Sequence, residues 1–514
     1  MIPSSNKSDS KSKRKLVADS LTMGVVFAVL LTGIQRIVGF VRSILFCRVL
    51  PEEELGTWSL TWSFLMLLAP LAVLGLPGTF GRYVEYFRQR GQLRVFLARI
   101  ALVSVILTIA LVALLAALAP SFAELLFRDA SKIQLVYAIA FALFFVGVLN
   151  FSSSLVEALR QVRLVTIMRF ISGIAFAVAA LTLLIFWNTD ASAVTIGFGI
   201  SCLIGTIPAV WFLLRHWDNL DECSAETGQR SMWSKIAPFA VWLWLTNLAT
   251  NLYEISDRYM LLQYLPVSPN EAQAAIGQYH SARVVPLLMV SLATVLGGIL
   301  LPYMANAWEN KRYKDAKAQL SWSIKLLGVG FSLCGVIILF ASPLLFDVIL
   351  QGRYNAGLAI LPMTLTYCIW YSLVLIGQDY LWCNNRGRLL FAAYIGGLLF
   401  NIVLNLVLIP SFGLDGAVWA TAVSNIVCLA LLLFFNQRLG FHNDRGIYIA
   451  VLAPLALLLP MSLALIILIN LAWFGYRRGW IFTADETKQL NEFLAKLSNR
   501  LPAILKSRTK QSAT

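Results

Sequence analysis

The 514-residue chain is 59% hydrophobic and 13% charged, with a mean hydropathy of +0.75, a balance that excludes a soluble globular protein. Its net charge of +15 would point to nucleic acid in a soluble chain. Here the basic residues are concentrated in particular loops between apolar runs, so no nucleic acid is expected as a partner. The seven cysteines (Cys47, Cys202, Cys223, Cys334, Cys368, Cys383, Cys428) have no metal-ligand spacing, and His216, His280 and His442 stand apart near segment ends as solvated side chains. Neither a disulfide framework nor a metal site nor a cofactor is expected.

Residues 1–19 form a polar basic tail that runs directly into apolar sequence without a small-residue cleavage site. Thirteen apolar segments follow, at 20–46, 57–80, 95–119, 132–154, 166–187, 192–214, 236–262, 282–305, 320–341, 356–382, 389–410, 414–436 and 447–474. Each approaches the roughly 20 residues needed to cross about 30 Å of hydrocarbon. Lipid offers the backbone no partners, so each must be a helix. The expected fold class is an all-α polytopic membrane protein with two six-helix lobes, 12 core helices, plus about one extra C-terminal helix. The N-lobe covers 20–214 and the C-lobe 236–436, joined by a linker at 215–235, the longest polar stretch. An additional helix at 447–474 and a basic tail at 477–514 complete the chain.

The basic first tail (Lys7, Lys11, Lys13, Arg14, Lys15) places the N-terminus in the cytoplasm, and every second loop repeats the signal. Arg82, Arg88, Arg90 and Arg94 follow segment two; Lys311, Arg312, Lys314 and Lys317 follow segment eight; Arg386 and Arg388 follow segment ten. The thirteenth segment breaks the alternation, because the tail behind it is again basic. Either that segment does not fully cross, or a late tail escapes the rule. Within the tail, Thr483 and Glu486 make a capping-box pattern ahead of Leu490, Leu494, Leu497 and Leu501, which reads as an amphipathic helix on a membrane surface or a partner.

Polar residues inside the spans are the candidate sites. Arg36 and Arg42 lie in the first segment, where a guanidinium in hydrocarbon costs several kcal/mol and marks a wet path for anionic cargo. They sit about 240° apart on a straight helix, and Gly39 between them offers a bend that would turn both inward. Snorkelling to the outer interface also fits Arg42 and Arg48. Segment seven carries Asn247, Asn251, Glu254 and Arg258 on one helical face, with Asp257 beside it. That face reads as a cavity wall for sugar hydroxyls, with Glu254, Asp257 and, more weakly, Asp379 coupling to a proton or sodium ion. A structural Glu–Arg pair fits equally. Asn401 and Asn405 read as interhelical hydrogen-bonders, and Glu157 with Arg160 as an intrahelical pair.

The halves share a pattern. Arg42, Leu50-Pro51 and Leu55-Gly56-Thr-Trp58 correspond to Arg258, Leu265-Pro266 and Ile276-Gly277-Gln-Tyr279. Such repeats would run parallel, with the substrate path between the lobes.

Two stretches resemble the MOP (MATE-like) exporter superfamily, particularly its polysaccharide and O-antigen flippases. They are Glu53-Glu-Leu-Gly-Thr-Trp-Ser-Leu with Leu74-Gly-Leu and Gly81-Arg-Tyr, and Asn401 to Ala422 with its Pro410, Gly413 and Gly416 turn. The run from Arg36 to Arg42 is similar to the first helix of the lipid II flippases of that superfamily. There, two arginines at this spacing contact the lipid-linked pyrophosphate. The Pro-Asn and paired-Arg motif those flippases carry at the second helix is missing, which favours a different lipid-linked oligosaccharide. The resemblance implies alternating-access flipping of a polyprenyl-pyrophosphate-linked oligosaccharide across the bacterial inner membrane. Binding would fall to Arg36, Arg42, Asn247, Asn251 and Arg258. Membrane lipids and glycan polymerases or glycosyltransferases are the implied partners, and no catalysis is expected. A cation-coupled multidrug exporter of the same fold and a non-transporting scaffold for glycan-assembly enzymes are the rival readings.

Overall fold

A computed structural model describes residues 21–217, 229–482 and 486–487. The basic first tail, most of the linker and nearly all of the expected C-terminal amphipathic helix lie outside the described residues. Among the described residues the chain is helical throughout and holds no strand.

The helices follow the apolar segments closely. They are α1 (Leu21–Val49), α2 (Glu52–Ala72), α3 (Phe80–Arg88), α4 (Leu93–Ala117), α5 (Ala119–Phe127), α6 (Ile133–Ala158), α7 (Val162–Phe186), α8 (Ala191–His216) and α9 (Gln229–Tyr264). Then come α10 (Pro269–Arg283), α11 (Pro286–Glu309), α12 (Tyr313–Pro343), α13 (Asn355–Gly377), α14 (Asp379–Cys383), α15 (Gly387–Arg438), α16 (Arg445–Leu452) and α17 (Met461–Arg477). Two expected spans are broken. Segment two ends early because Leu74 and Gly75 both adopt positive φ, after which a 3-10 turn leads into α3. Segment ten is interrupted by a turn at Gln378, between α13 and α14. The long α15 is two helices meeting at Gly413 (φ 58°, ψ −128°), so segments eleven and twelve appear as expected. A Cβ on Gly416 would stand 2.3 Å from the Leu408 carbonyl, which shows how tightly the chain turns there.

Contacts divide the chain into two units, and the boundary falls within α9 at Asn251/Leu252 rather than in the 215–235 linker. The first comprises Met1–Arg42, Val49–Pro51 and Leu60–Asn251. Its α8 seats small residues against its neighbours: Gly197 on Ala180 of α7, Gly205 on Ser172, and Gly199 on Phe141 and Ala142 of α6. Small residues let helices approach closely in lipid, where no hydrophobic effect drives them together. A second cluster stacks Phe87 on Phe96 at 4.5 Å, with Phe80 edge-on.

The second unit comprises Ser43–Arg48, Glu52–Ser59 and Leu252–Thr514, with α13 at its centre. The hydroxyls of Thr364, Thr366 and Ser372 on α13 return to carbonyls one turn back, which satisfies them inside apolar surroundings. His280, expected to be solvated, is half-buried on α10 and bonds Ser59 at 3.2 Å.

In place of one additional helix at 447–474, the chain forms α16, a 3-10 turn Ala453–Leu458, a break at Leu459–Pro460, and α17. The two arms double back. Leu471 and Ala472, late in α17, pack with Ile449 and Ala450, early in α16, against Val329, Ile481 and Phe482. A Cβ on Gly446 would meet the Ile481 carbonyl at 2.1 Å, and one on Gly475 the Ile481 side chain at 2.4 Å. The fully buried Lys325 of α12 binds Asp444, before α16, and Glu486, beyond α17. Both ends of this hairpin therefore meet at one level of α12. The segment therefore folds as a hairpin of two short helices rather than as one helix.

Candidate functional site

The first candidate group lies on α1 and α7. Helix α1 runs through Gly39 without interruption. Helical side chains lean toward the N-terminus, and that alone turns Arg42 back along its own helix. Its Nη2 comes within 3.9 Å of the point where a Cβ on Gly39 would stand, and its guanidinium lies 4.1 Å from the Phe176 ring centroid on α7. This is a cation–π contact, and it directs the head group toward Arg36, away from the Arg48 end. Snorkelling is the opposite arrangement. Arg36 is exposed, and the charge of Arg169 on α7 acts on it. Gln35 packs at Gly173, so α1 and α7 meet along this stretch. Arg169 holds Glu157 at 3.3 Å, with both side chains more than half exposed, so Glu157 does not form the expected pair with Arg160. Arg169 was legible by the argument that singled out Arg36, because it too is a charged residue inside an apolar segment.

The second group surrounds the lower half of α9. Asn247 is exposed and Asn251 spends its amide on the Asn247 carbonyl at 2.8 Å, so this part of the polar stripe is bonded locally. Glu254 accepts from the Tyr371 hydroxyl of α13. Asp257, 2% exposed, accepts from the Tyr279 hydroxyl at 3.1 Å and from the amides of Asn401 and Asn405 at 2.8 and 3.1 Å. All three partners donate to it, and together they tie α9 to α10 and α15. Ser256 adds a 2.6 Å bond to Asn401, and Tyr367 bonds Tyr279 at 3.1 Å. Asn401 and Asn405 are interhelical hydrogen-bonders, as expected. Arg258 is buried beside this network, 8% exposed.

A small cavity of 30 Å³ opens in this network, lined among others by Glu254, Asp257, Arg283, Tyr367, Thr421 and Asn425. That is room for one or two water-sized occupants. The Oδ1 atoms of Asn405 and Asn425 are buried acceptors without a partner, and the Nε and Nη1 of Arg283 are buried donors without one. Buried polar atoms left unsatisfied cost about 1–3 kcal/mol each, and Asn425 and Arg283 bring theirs to the wall of the cavity that Asp257 also lines. Arg283, at the end of α10, was missed because it sits where an apolar segment begins and looks like an interfacial residue. No cluster of three acidic, histidine or cysteine groups suited to a metal occurs among the described residues. Asp379 stands apart from this network. It opens α14, is buried, and its Oδ2 faces Gly297 of α11 without a hydrogen-bond partner.

Residues 21–308, more than half of the chain, match the family model described as polysaccharide biosynthesis protein. An uncharacterized membrane protein, YabM, of Bacillus subtilis (strain 168) is 25% identical over 331 residues, covering 60% of this chain and 58% of that protein. Among solved structures, the lipid II flippase MurJ in an inward closed conformation superposes with a TM-score of 0.68 at 15% identity, covering 88% of this chain and 99% of MurJ. An inward-facing multidrug resistance MATE family transporter of the MOP superfamily gives 0.64 at 12% identity, with 81% and 97% covered. A MOP superfamily transporter from Pyrococcus furiosus, described as having a binding pocket of reverse polarity, gives 0.57 at 11% identity, with 84% and 95% covered.

Proposed function

Because this chain belongs to the polysaccharide biosynthesis protein family and has the fold of MOP superfamily transporters, we propose that it flips a polyprenyl-pyrophosphate-linked oligosaccharide by alternating access. The observation that carries this reading is the inward turn of Arg42 toward Arg36 on the face that α1 shares with α7 and Arg169. Three guanidiniums along the contact of α1 with α7 suit a cargo whose head carries about two negative charges, since the arginine fork pairs phosphate oxygens bidentately. A multidrug exporter of organic cations would be repelled by the same face. The membrane is read as the bacterial inner membrane with the N-terminus in the cytoplasm, and glycosyltransferases as the enzymes that supply the cargo.

Coupling is assigned to the cavity beside Asp257. The carboxylate, the unpartnered oxygen of Asn425 and the Thr421 hydroxyl are hard oxygen donors that suit a sodium ion better than a softer metal. Arg283 faces the same cavity, so cation and guanidinium compete for the acidic oxygens, and that competition is the lever that links occupancy to the position of α10. Glu254, exposed and bonded to Tyr371, is the more accessible proton acceptor.

The test is binding of undecaprenyl pyrophosphate and its glycosylated forms to the purified protein by native mass spectrometry. Wild type should retain the lipid, and Arg36→Ala, Arg42→Ala and Arg169→Ala should each weaken retention. If wild type ignores the lipid, or the variants bind it equally well, the arginines are structural and the drug-exporter and scaffold readings replace this one. Sodium-dependent thermal stabilisation should vanish in Asp257→Asn, and its persistence there would remove the coupling assignment.

A further inference from the structure

A larger cavity, separate from the one beside Asp257, lies within the second unit. It measures 370 Å³ and is walled by α11 (Leu296, Ile299, Leu300, Tyr303), α12 (Gln319, Trp322, Ser323, Leu326, Leu327) and Ile376 of α13. That volume is within the range of small-ligand pockets. The walls have a polarity gradient. Leu296, Leu327 and Ile376 lie deep, and Tyr303, Gln319 and Trp322 lie toward the α11–α12 turn. Two wall groups are buried polar atoms with no partner: the Nε1 of Trp322, a donor, and the Oε1 of Gln319, an acceptor. An apolar cavity in a well-packed lobe does not need them, and each carries the cost of desolvation unless an occupant satisfies it.

The mouth is basic. Arg312 lies on the same helical face as Gln319, two turns nearer the end, and Asn306 continues the face of Ile299 and Tyr303 on α11. The Arg312 guanidinium sits between the two helices, 3.4 Å from Asn306 Oδ1 and 3.7 Å from Asp315. Both contacts are long and the arginine is well exposed, so its fork is available to a stronger acceptor. The order along the cavity is therefore apolar, then donor and acceptor, then cation.

We propose that this cavity holds one acyl chain of an anionic glycerophospholipid from the leaflet at the basic-loop end. The chain fills the Leu296–Leu327–Ile376 end. A glycerol ester oxygen accepts from Trp322 Nε1, the phosphate meets Arg312, and the hydroxyl of the headgroup, which lies beyond the phosphate, folds back to donate to Gln319 Oε1. Depth agrees with this order: Gln319 and Trp322 are six and nine residues into α12, about 9 and 13 Å along its axis, the level at which Trp and Tyr occupy the interface. Phosphatidylglycerol has every group the cavity asks for. Phosphatidylcholine has neither the net charge nor a donor hydroxyl. The inference does not rest on the transported cargo.

The experiment is native mass spectrometry of the full chain, delipidated in detergent and offered phosphatidylglycerol or phosphatidylcholine with the same acyl chains. Phosphatidylglycerol should be retained in preference. Arg312→Gln should weaken that preference about fivefold, the share of one basic residue near a lipid headgroup. Leu326→Trp, which fills the cavity from a partly exposed wall position, should abolish it, and Lys314→Gln on the opposite face of α12 should change nothing. In the wild-type protein, phosphatidylglycerol carrying a photoreactive group at the end of its acyl chain should label α11 and α12. Equal retention of the two lipids, or labelling scattered around the molecule, would overturn the proposal, whether or not Leu326→Trp folds.

Discussion

Replacing Lys325 by methionine separates two ways the second unit can respond to a lost charge. The lysine side chain has no exposed surface; its Nζ binds Asp444 and reaches both Glu486 oxygens at 2.9 and 3.2 Å. If everything else stays in place, Glu486, whose side chain is only 8% exposed, keeps the Ser321 hydroxyl but loses its buried ammonium partner, at a cost of about 3–5 kcal/mol. The alternative is that the segment carrying Glu486 leaves its site. That forfeits the burial of Ile481 and Phe482, which are 2% and 6% exposed and contribute roughly 1.5–3 kcal/mol each. The two costs overlap, so Lys325→Met should populate an undocked segment rather than unfold the unit. Hydrogen exchange of peptides containing Ile481 and Phe482 reads this directly. Their protection should fall while that of α13 is kept, and a second change, Glu486→Leu, should restore it by removing the stranded charge. Unchanged protection in Lys325→Met would refute the reasoning, as would a double variant no better than the single one.

Two further outcomes follow from the packing. Gly56→Ala places a methyl 1.8 Å from the Gln273 carbonyl, so backbone must move; the melting temperature should fall by the equivalent of about 1–3 kcal/mol or more, while Gly298→Ala, with open space around it, stays at wild type. Because α16 and α17 double back, Arg478→Cys should react with an impermeant maleimide from the same side of the membrane as a cysteine at Arg445, and reaction from opposite sides would show a single crossing.

The spans were legible because lipid leaves the backbone one choice, and twenty apolar residues in a row state it plainly. What periodicity could not show was where a span breaks. Leu74 in a left-handed conformation carries no compositional signal, and the two arms at 445–477 are each apolar enough to read together as one helix. The acidic half of the second site was visible from Glu254 and Asp257 on one turn. Its basic half was not, since Arg283 becomes a buried group only when α10 packs on α13 and α15. The direction of Arg42 was also beyond the sequence. It depends on Phe176, 134 positions away on another helix (176 − 42), offering a ring at the right height.

The repeated pattern around Gly56 and Gly277 gains a physical meaning once the helices are in place. A Cβ on Gly56 would strike the carbonyl of Gln273, four residues before Gly277; a Cβ on Gly277 would strike the carbonyl of Glu52, four residues before Gly56. Each glycine thus makes room for the turn that precedes the other, the reciprocity expected of two equivalent helix starts crossing about a local two-fold axis. Thr57 next to the first glycine bonds Gln273 at 3.0 Å, and Gln278 next to the second bonds Glu52 at 2.7 Å, so the polar contacts repeat the same exchange. A relation between two sequence stretches noticed only as spacing is therefore a contact between α2 and α10, and selection on either glycine is selection on both. The arginines of the repeat have not kept that equivalence. Arg42 turns along its helix to an aromatic ring and faces the proposed cargo, while Arg258 is buried beside the Asp257 network. The two copies therefore stand in different electrostatic surroundings, Arg42 against an aromatic ring and Arg258 beside a carboxylate.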